Sequence, residues 1–480
     1  MAERTVIRAS HIIAYDGRGH RHLRDGVAVI EGNSILHVGK TWDGTAEHEI
    51  DATGHVVTPG LVNTHAHLTG SPLDKSLLED RGPRQFYLSG LFEFLPVRSL
   101  AQDEEAHNAA ADFSMTELIR SGTTTIMEIG THGDYVAEAA GKAGLRAYVG
   151  QGYRSGAWFT PDGKTVRYRW DDDEGFGAMN KAIAHIEKIS GTYDDRVRGF
   201  LTPMQVDTCT EGLLRRSREA ANSMSVPLAL HVSQSVNEFL EMVQRNGMTP
   251  IEWLESIGFL GPDCILGHCI IAGGGSWANY AADDIGILAD TGAAVAHAVW
   301  VFARRGIAME SFSKYVRRGV TMTLATDTSP QNMIEALRYA AVVSKIVDRE
   351  TELATAATAF DAATLGGSKA LGRDDLGRIA PGAKADLLIW DAGTLNMSPL
   401  RDPVKNIVYN AAMEDLRTSI IDGRVVMQDG VPLYAKDPRE AARALQAAGE
   451  RMWGRFAQHD WQGRDVDTMS PQTYPAWDGA

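Results

Sequence analysis

The chain has 480 residues, 44% hydrophobic and 23% charged, an ordinary globular balance on a chain too long for one small core. Its 62 acidic against 47 basic residues leave a net charge of -15, which repels phosphate backbones and argues against nucleic acid as a partner. No apolar run reaches membrane-spanning length, and Met1-Ala2-Glu3-Arg4 leads into a strand pattern without a signal-peptide core, so a cytoplasmic location with no membrane partner is expected.

Residues 5–57 read as β-structure: Thr5-Val6-Ile7-Arg8-Ala9 opens it, and strands at 26–30 and 34–38 flank the turn Glu31-Gly32-Asn33. These strands are too few to close a core. Their partners are expected at the far end of the chain, at 385–390 and in the hairpin 418–427 with its Asp422-Gly423 turn. The economical organisation is a small β-sandwich domain built from residues 1–58 and 374–435, with a catalytic domain over 59–373 inserted between its halves. Residues 436–480 read as an Ala- and Arg-rich helix and a tail, packed on the surface or on a neighbouring subunit. A homodimer or larger homo-oligomer is expected from that helix.

In the inserted part, strands alternate with helices, which implies parallel strands and crossover helices. The first strand runs from Val56 through Pro59-Gly60 to His65-Ala66-His67, and a helix follows at 103–121. Further strands are expected at 123–128, 145–150, 197–201, 227–232, 264–269, 293–297 and 320–327. Eight such strands suggest an α/β protein with a closed (β/α)8 TIM barrel.

In that architecture the active site lies at the C-terminal ends of the strands, where this chain offers His65, His67, His231, His268, His297 and Asp327. His65 and His67, at i and i+2, point to the same side of an extended strand. Alone the pair is as compatible with two surface histidines. With the later strand ends it becomes a donor set, since three imidazoles and a carboxylate suit a divalent cation such as zinc, about 2 Å away, with one position open for water. The loops after the strand ends are aromatic: Phe86, Tyr87, Phe92 and Phe94, then Trp158 and Phe159, then Trp300 and Phe302. They line an apolar pocket for a small hydrophobic, uncharged substrate or pack on one another. Lys75, Arg81, Arg84, Arg304 and Arg305 in the same loops either hold a carboxylate or stay solvated and paired. His297 contacts substrate or sits behind the site, and Glu128 is a candidate partner for a ligand. Cys209, Cys264 and Cys269 match no zinc spacing and read as buried small hydrophobes.

The stretches 59–67, Leu266-Gly267-His268, Ala325-Thr326-Asp327 and 376–386 together resemble the amidohydrolase superfamily, in its cytosine deaminase and triazine hydrolase branch. The likeness spans about residues 5–430, with the motifs in family order. It implies that His65, His67, His231 and Asp327 bind the metal and that His268 faces the substrate or the metal-bound water. Binuclear relatives carry a lysine at the end of the fourth strand, where this chain reads Phe200-Leu201-Thr202-Pro203-Met204. One divalent ion per subunit is therefore expected, zinc before cobalt, iron or manganese. Deaminases of this branch have His-x-x-Glu after the fifth strand, the glutamate ferrying protons to a ring nitrogen, whereas this chain has His231-Val232-Ser233-Gln234. Glutamine does not titrate. With Asp74-Lys75 and residues 82–87, 302–306 and 327–333, that substitution resembles the relatives that include molinate hydrolase and the phenylurea hydrolases.

The resulting expectation is a hydrolase that attacks the carbonyl or thiocarbonyl of an amide, urea or (thio)carbamate. Asp327 is the general base, His268 the donor to the developing oxyanion, and Gln234, His297, Phe86, Tyr87, Trp158, Trp300 and Phe302 the substrate contacts. The alternatives are a deaminase or dechlorinase of a nitrogen heterocycle (triazine, pyrimidine or purine type) and a non-catalytic scaffold of the same fold.

Overall fold

The computed structural model describes residues 3–77, 90–435, 437–477 and 479. Eight parallel strands occupy the middle of the chain. Leu61–Ala66, Thr123–Glu128, Arg146–Gly150 and Val197–Phe200 form one sheet in chain order, and Leu228–Val232, Cys264–His268, Ala294–His297 and Thr321–Leu324 form a second. Single bridges join the sheets at both seams, Leu201 to Leu228 and Ala66 to Asp327. Every position of Leu61–Ala66, Leu228–Val232 and Cys264–His268 is buried, as expected for strands covered on both faces. Strands and helices are thus those of a TIM-type α/β protein with an additional β-structure from both chain ends.

The crossover helices begin and end on local signals. Asp103 caps Glu104–Arg120 by accepting from the Ala106 N–H, Ser235 caps Val236–Asn246, and Asn332 caps Met333–Asp348. Left-handed Gly144, Gly247 and Gly292 close helices where the chain turns back into or toward the next strand.

The chain ends build one eight-stranded sheet. Arg4–Tyr15 pairs antiparallel with His20–Glu31 and parallel with His48–Pro59, which in turn pairs antiparallel with Leu387–Asp391. Leu416–Ile421 and Arg424–Gln428 continue it, as the Asp422-Gly423 turn predicts. The expected sandwich of separate sheets is corrected here, because His48–Pro59 is paired on both edges and joins the two halves into a single hydrogen-bonded sheet around Ile7, Ile12, Ile30, Val57, Leu387 and Ile389. From His48–Pro59 the chain enters the first parallel strand through Gly60, where a Cβ would lie 2.0 Å from Thr124 Oγ1, so only glycine lets the strands approach.

The helix Pro438–Trp453 lies on its own chain: Ala448 and Met452 pack with Phe94, Val97, Ala106 and Ala110, and Arg451 reaches Asp103 at 3.3 Å. Among the described residues, no helix is long and apolar enough to cross a membrane.

Candidate metal centre and active site

His65, His67, His231 and Asp327 converge, with one ligand atom of each within 4.8 Å of the others. The backbone fixes this meeting. Asp327 donates its N–H to the His65 carbonyl at 2.9 Å, and His67 donates to the Asp327 carbonyl at 2.8 Å. Asp327 and His268 take left-handed backbone angles, φ +58° and +86°, an uncommon conformation for non-glycine residues that bends each away from its strand end.

Nδ1 of His67 donates to the Ile129 carbonyl, and Nδ1 of His231 donates to the Met204 carbonyl at 2.5 Å. A carbonyl can only accept, so both rings carry hydrogen on Nδ1, and their Nε2 atoms face one another at 3.0 Å. A positive charge must lie between such nitrogens. Asp327 Oδ1 stands 3.3 Å from Nε2 of both His65 and His67, and among the described residues neither ring nitrogen of buried His65 makes a hydrogen bond. Donors about 2 Å from one tetrahedral ion are about 3.3 Å apart, so these separations and the orphaned imidazole fit a divalent cation. Burial opposes the Asp327 charge, but the imidazoles of His65 and His67 outweigh it and hold its carboxyl well below the usual range. Burial pushes His65 down and, with the neighbouring imidazoles, pushes His231 well down. It also opposes the His67 charge, where Asp327 and Glu128 prevail and raise it.

His268 joins the cluster, its ring centre 4.9 Å from that of His65 and 5.5 Å from that of His231, with Phe302 edge-on at 4.7 Å. Burial pushes its pKa to about 3, so it is a neutral hydrogen-bonding group. Gln234 is 4% exposed, and its N–H donates to Glu238 at 3.3 Å. Glu238 accepts from Ser233 as well; burial and nearby Asp207 push its pKa well up. Glu128 accepts from the Leu68 N–H at 2.9 Å, and burial raises it to about 7.

The aromatic residues separate. Phe302 touches His268, whereas Trp158 donates to Asp207 at 2.7 Å and packs on Phe92, within a hairpin of Gly156–Phe159 and Arg167–Trp170. Trp300 stacks on Tyr339, and His297 stacks on Phe312, pushed to about 4 by burial. Trp158, Trp300 and His297 are thus each held in place by a packing or hydrogen-bond partner. Phe86 and Tyr87, like Arg81 and Arg84, lie outside the described residues. A cavity of about 810 Å3 lined by His107, His132 and His185 contains none of the four ligands.

Beneath the ligands runs a polar network that carries no motif. Asn63 donates to Thr326 at 2.7 Å and accepts its N–H, Ser71 donates to the His67 carbonyl at 2.7 Å, and Glu117 accepts from Ser329 and Gln331. Strand alternation gives a signal for Asn63, two residues before His65; Ser71, Glu117 and Gln331 have none.

The Amidohydrolase family model matches residues 56–426. A 5′-deoxyadenosine deaminase of Methanothermobacter thermautotrophicus is 31% identical over 446 residues, 90% of this chain and 96% of its own. A 5-methylthioadenosine/S-adenosylhomocysteine deaminase of Thermococcus kodakarensis is 32% identical over 413 residues, 83% of this chain and 89% of its own. Among solved structures, an adenosine deaminase from Xanthomonas campestris with bound zinc superposes with a TM-score of 0.81 at 22% identity, covering 93% of this chain and 98% of that one. A variant of atrazine chlorohydrolase from Arthrobacter aurescens, complexed with zinc and atraton, gives 0.78 at 23%, covering 93% and 100%. These relatives correct the expected likeness to molinate and phenylurea hydrolases, which leaned on Gln234 and a few loop residues, whereas the deaminases match over most of the chain. The chain belongs to the amidohydrolase family and is a metal-dependent hydrolase.

Proposed function

We propose that the chain hydrolytically deaminates an adenine-type nucleoside, with the eight parallel strands as one closed barrel and the site at its mouth. The observation that carries this reading is an ionised Asp327 beside a neutral, buried His268, on a chain over 30% identical to deaminases of 5′-deoxyadenosine and 5-methylthioadenosine. His65, His67, His231 and Asp327 would hold one divalent ion, which supplies Lewis acidity and a water acidic enough to ionise near neutral pH. Asp327 takes one proton of the attacking water and passes it to the ring nitrogen, then takes the second from the hydroxyl of the tetrahedral adduct and passes it to the amino group, which departs as ammonia. His268 donates a hydrogen bond where negative charge develops. Gln234 orients the ring edge without moving a proton, so protonation of the ring falls to Asp327 as well. Phe302 shields His268 from solvent.

A second reading, hydrolysis of an amide, urea or (thio)carbamate, is favoured by Gln234, because an amine leaving a flexible amide needs only one proton. Dechlorination of a heterocycle would use the same attack. The test compares ammonia release from 5′-deoxyadenosine and 5′-methylthioadenosine with cleavage of anilides, phenylureas and carbamates. Ring deamination is expected, with a gain in Gln234→Glu and a loss of at least about 100-fold in kcat in Asp327→Asn. Cleavage of the anilides or ureas alone would replace the first reading with the second, and near-normal kcat in Asp327→Asn would remove Asp327 as the base.

A further inference from the structure

The loop after the seventh parallel strand brings two arginines to the edge of the site. The helix Val299–Ala303 ends there, just past Phe302 on His268, and Arg304 and Arg305 follow. Arg304 reaches Thr328, the neighbour of Asp327, at 3.4 Å, and its guanidinium lies 5.9 Å from the Trp300 ring centre. Arg305 lies against Gly90, where a Cβ would stand 3.4 Å from its Nη2. Nε of both arginines is buried without a hydrogen-bond partner. Among the described residues, Arg305 forms no ion pair, and the acids that reach the pair electrostatically are Asp74 and Asp327.

Both acids have other cationic or imidazole partners as well. Asp74, 3% exposed, lies 3.4 Å from Arg98, and Asp327 is committed to the imidazoles. Three guanidinium groups, those of Arg98, Arg304 and Arg305, therefore share the one carboxylate of Asp74 beside a site that also takes a cation. Withdrawing such a charge from water without a partner is costly, and burial pushes Arg305 down to about 10. An anion arriving between the two forks would supply the missing partner, with charge-assisted hydrogen bonds that a lysine's point charge reproduces only in part.

We propose that Arg305, with Arg304 beside it, binds an oxyanion on the tail of the substrate, a carboxylate or a phosphate, and thereby sets specificity. The assignment rests on the heterocycle reading of the site and departs from the uncharged ligand suggested by the aromatic loops.

The test titrates zinc-loaded protein calorimetrically with three probes: uncharged 5′-deoxyadenosine, S-adenosylhomocysteine with its carboxylate, and adenosine 5′-monophosphate with its phosphate. At least one of the two probes that carry an oxyanion, the zwitterionic S-adenosylhomocysteine or the monophosphate, is expected to bind roughly 10–100-fold tighter than 5′-deoxyadenosine. That ratio is expected to collapse toward one in Arg305→Met and to be partly retained in Arg305→Lys; Arg305→Gln replaces the methionine variant should that fail to fold. The probe that shows the preference identifies the anion. Equal binding of all three probes, binding of none, or an equal loss for all three in Arg305→Met overturns the proposal. If no probe is deaminated but the charge preference and its loss persist, the anion site stands and the deaminase reading fails. Deamination of the neutral probe without any charge preference leaves the deaminase reading in place and overturns the anion site.

Discussion

Gly267 sits opposite His65 so closely that a Cβ would lie 2.6 Å from the imidazole Cε1. A methyl group there must push the ring, and a displaced donor costs affinity even when the chain folds. Gly267→Ala is expected to weaken zinc binding at least about tenfold, the loss typical of a disturbed ligand support, with little change in unfolding midpoint. Competition with a chelator measures it, and wild-type affinity would remove His65 from the donor set. The histidines and Asp327 were legible in the sequence because strand periodicity and strand-end position announce them. The glycine's role was not, because it is fixed by a side chain 202 positions earlier (267 minus 65) that no local pattern connects to it. The partner of the Trp158 indole was not legible for a related reason: Asp207 lies in a short turn with no signature.

The third parallel strand shows how an element is tied into the whole. It opens with Arg146, 2% exposed, bonded to Asp386 at 3.1 and 3.2 Å and to Asp422 at 3.0 Å in the terminal sheet. Removing the guanidinium would strand two buried carboxylates. Arg146→Met is therefore expected to lower stability by about 3–5 kcal/mol, read as a fall in the urea midpoint. A midpoint within about 0.5 kcal/mol of wild type would show that water replaces the arginine there. Elements were the most legible level of this chain: the strand expected at 123–128 is observed with those bounds and the later parallel strands differ by a few end residues, whereas Arg4–Tyr15 and His20–Glu31 run well beyond the expected 5–9 and 26–30, and the strand expected from Val56 is divided at Gly60 between the two sheets. The hairpin of Gly156–Phe159 and Arg167–Trp170 was missed because its strands are four residues each and mostly charged or aromatic, without an apolar face.

For the molecule as a whole, buried neutral histidines set the response to acid. Burial lowers His107 to about 4, helped by His132 stacked on it at 3.7 Å, and burial alone lowers His297 to about 4. In the unfolded chain these groups bind protons near their ordinary value of 6.5. Between that value and 4 the unfolded state holds more protons, so their contribution is complete above pH 6.5 and is lost as pH falls through the window. Each group contributes a slope of at most about 1.4 kcal/mol per pH unit. Urea unfolding at pH 7 and pH 5 is expected to show the fall, and His107→Gln, whose amide can still donate to the Thr69 carbonyl, is expected to show a shallower one. An unaltered slope in that variant would mean that His107 is protonated in the folded protein.

The sheet of chain ends carries one more consequence, for the order in which the protein is made. Trp390 bonds Thr58 at 3.0 Å across 332 positions, and the strand holding Thr58 runs directly into the segment that bears His65 and His67. While a ribosome is still translating the middle of the message, that strand has an open edge and no partner to dock on. The amino-terminal third must wait, half-paired and prone to sticking to other chains, until the distant codons for Leu387–Asp391 have been read.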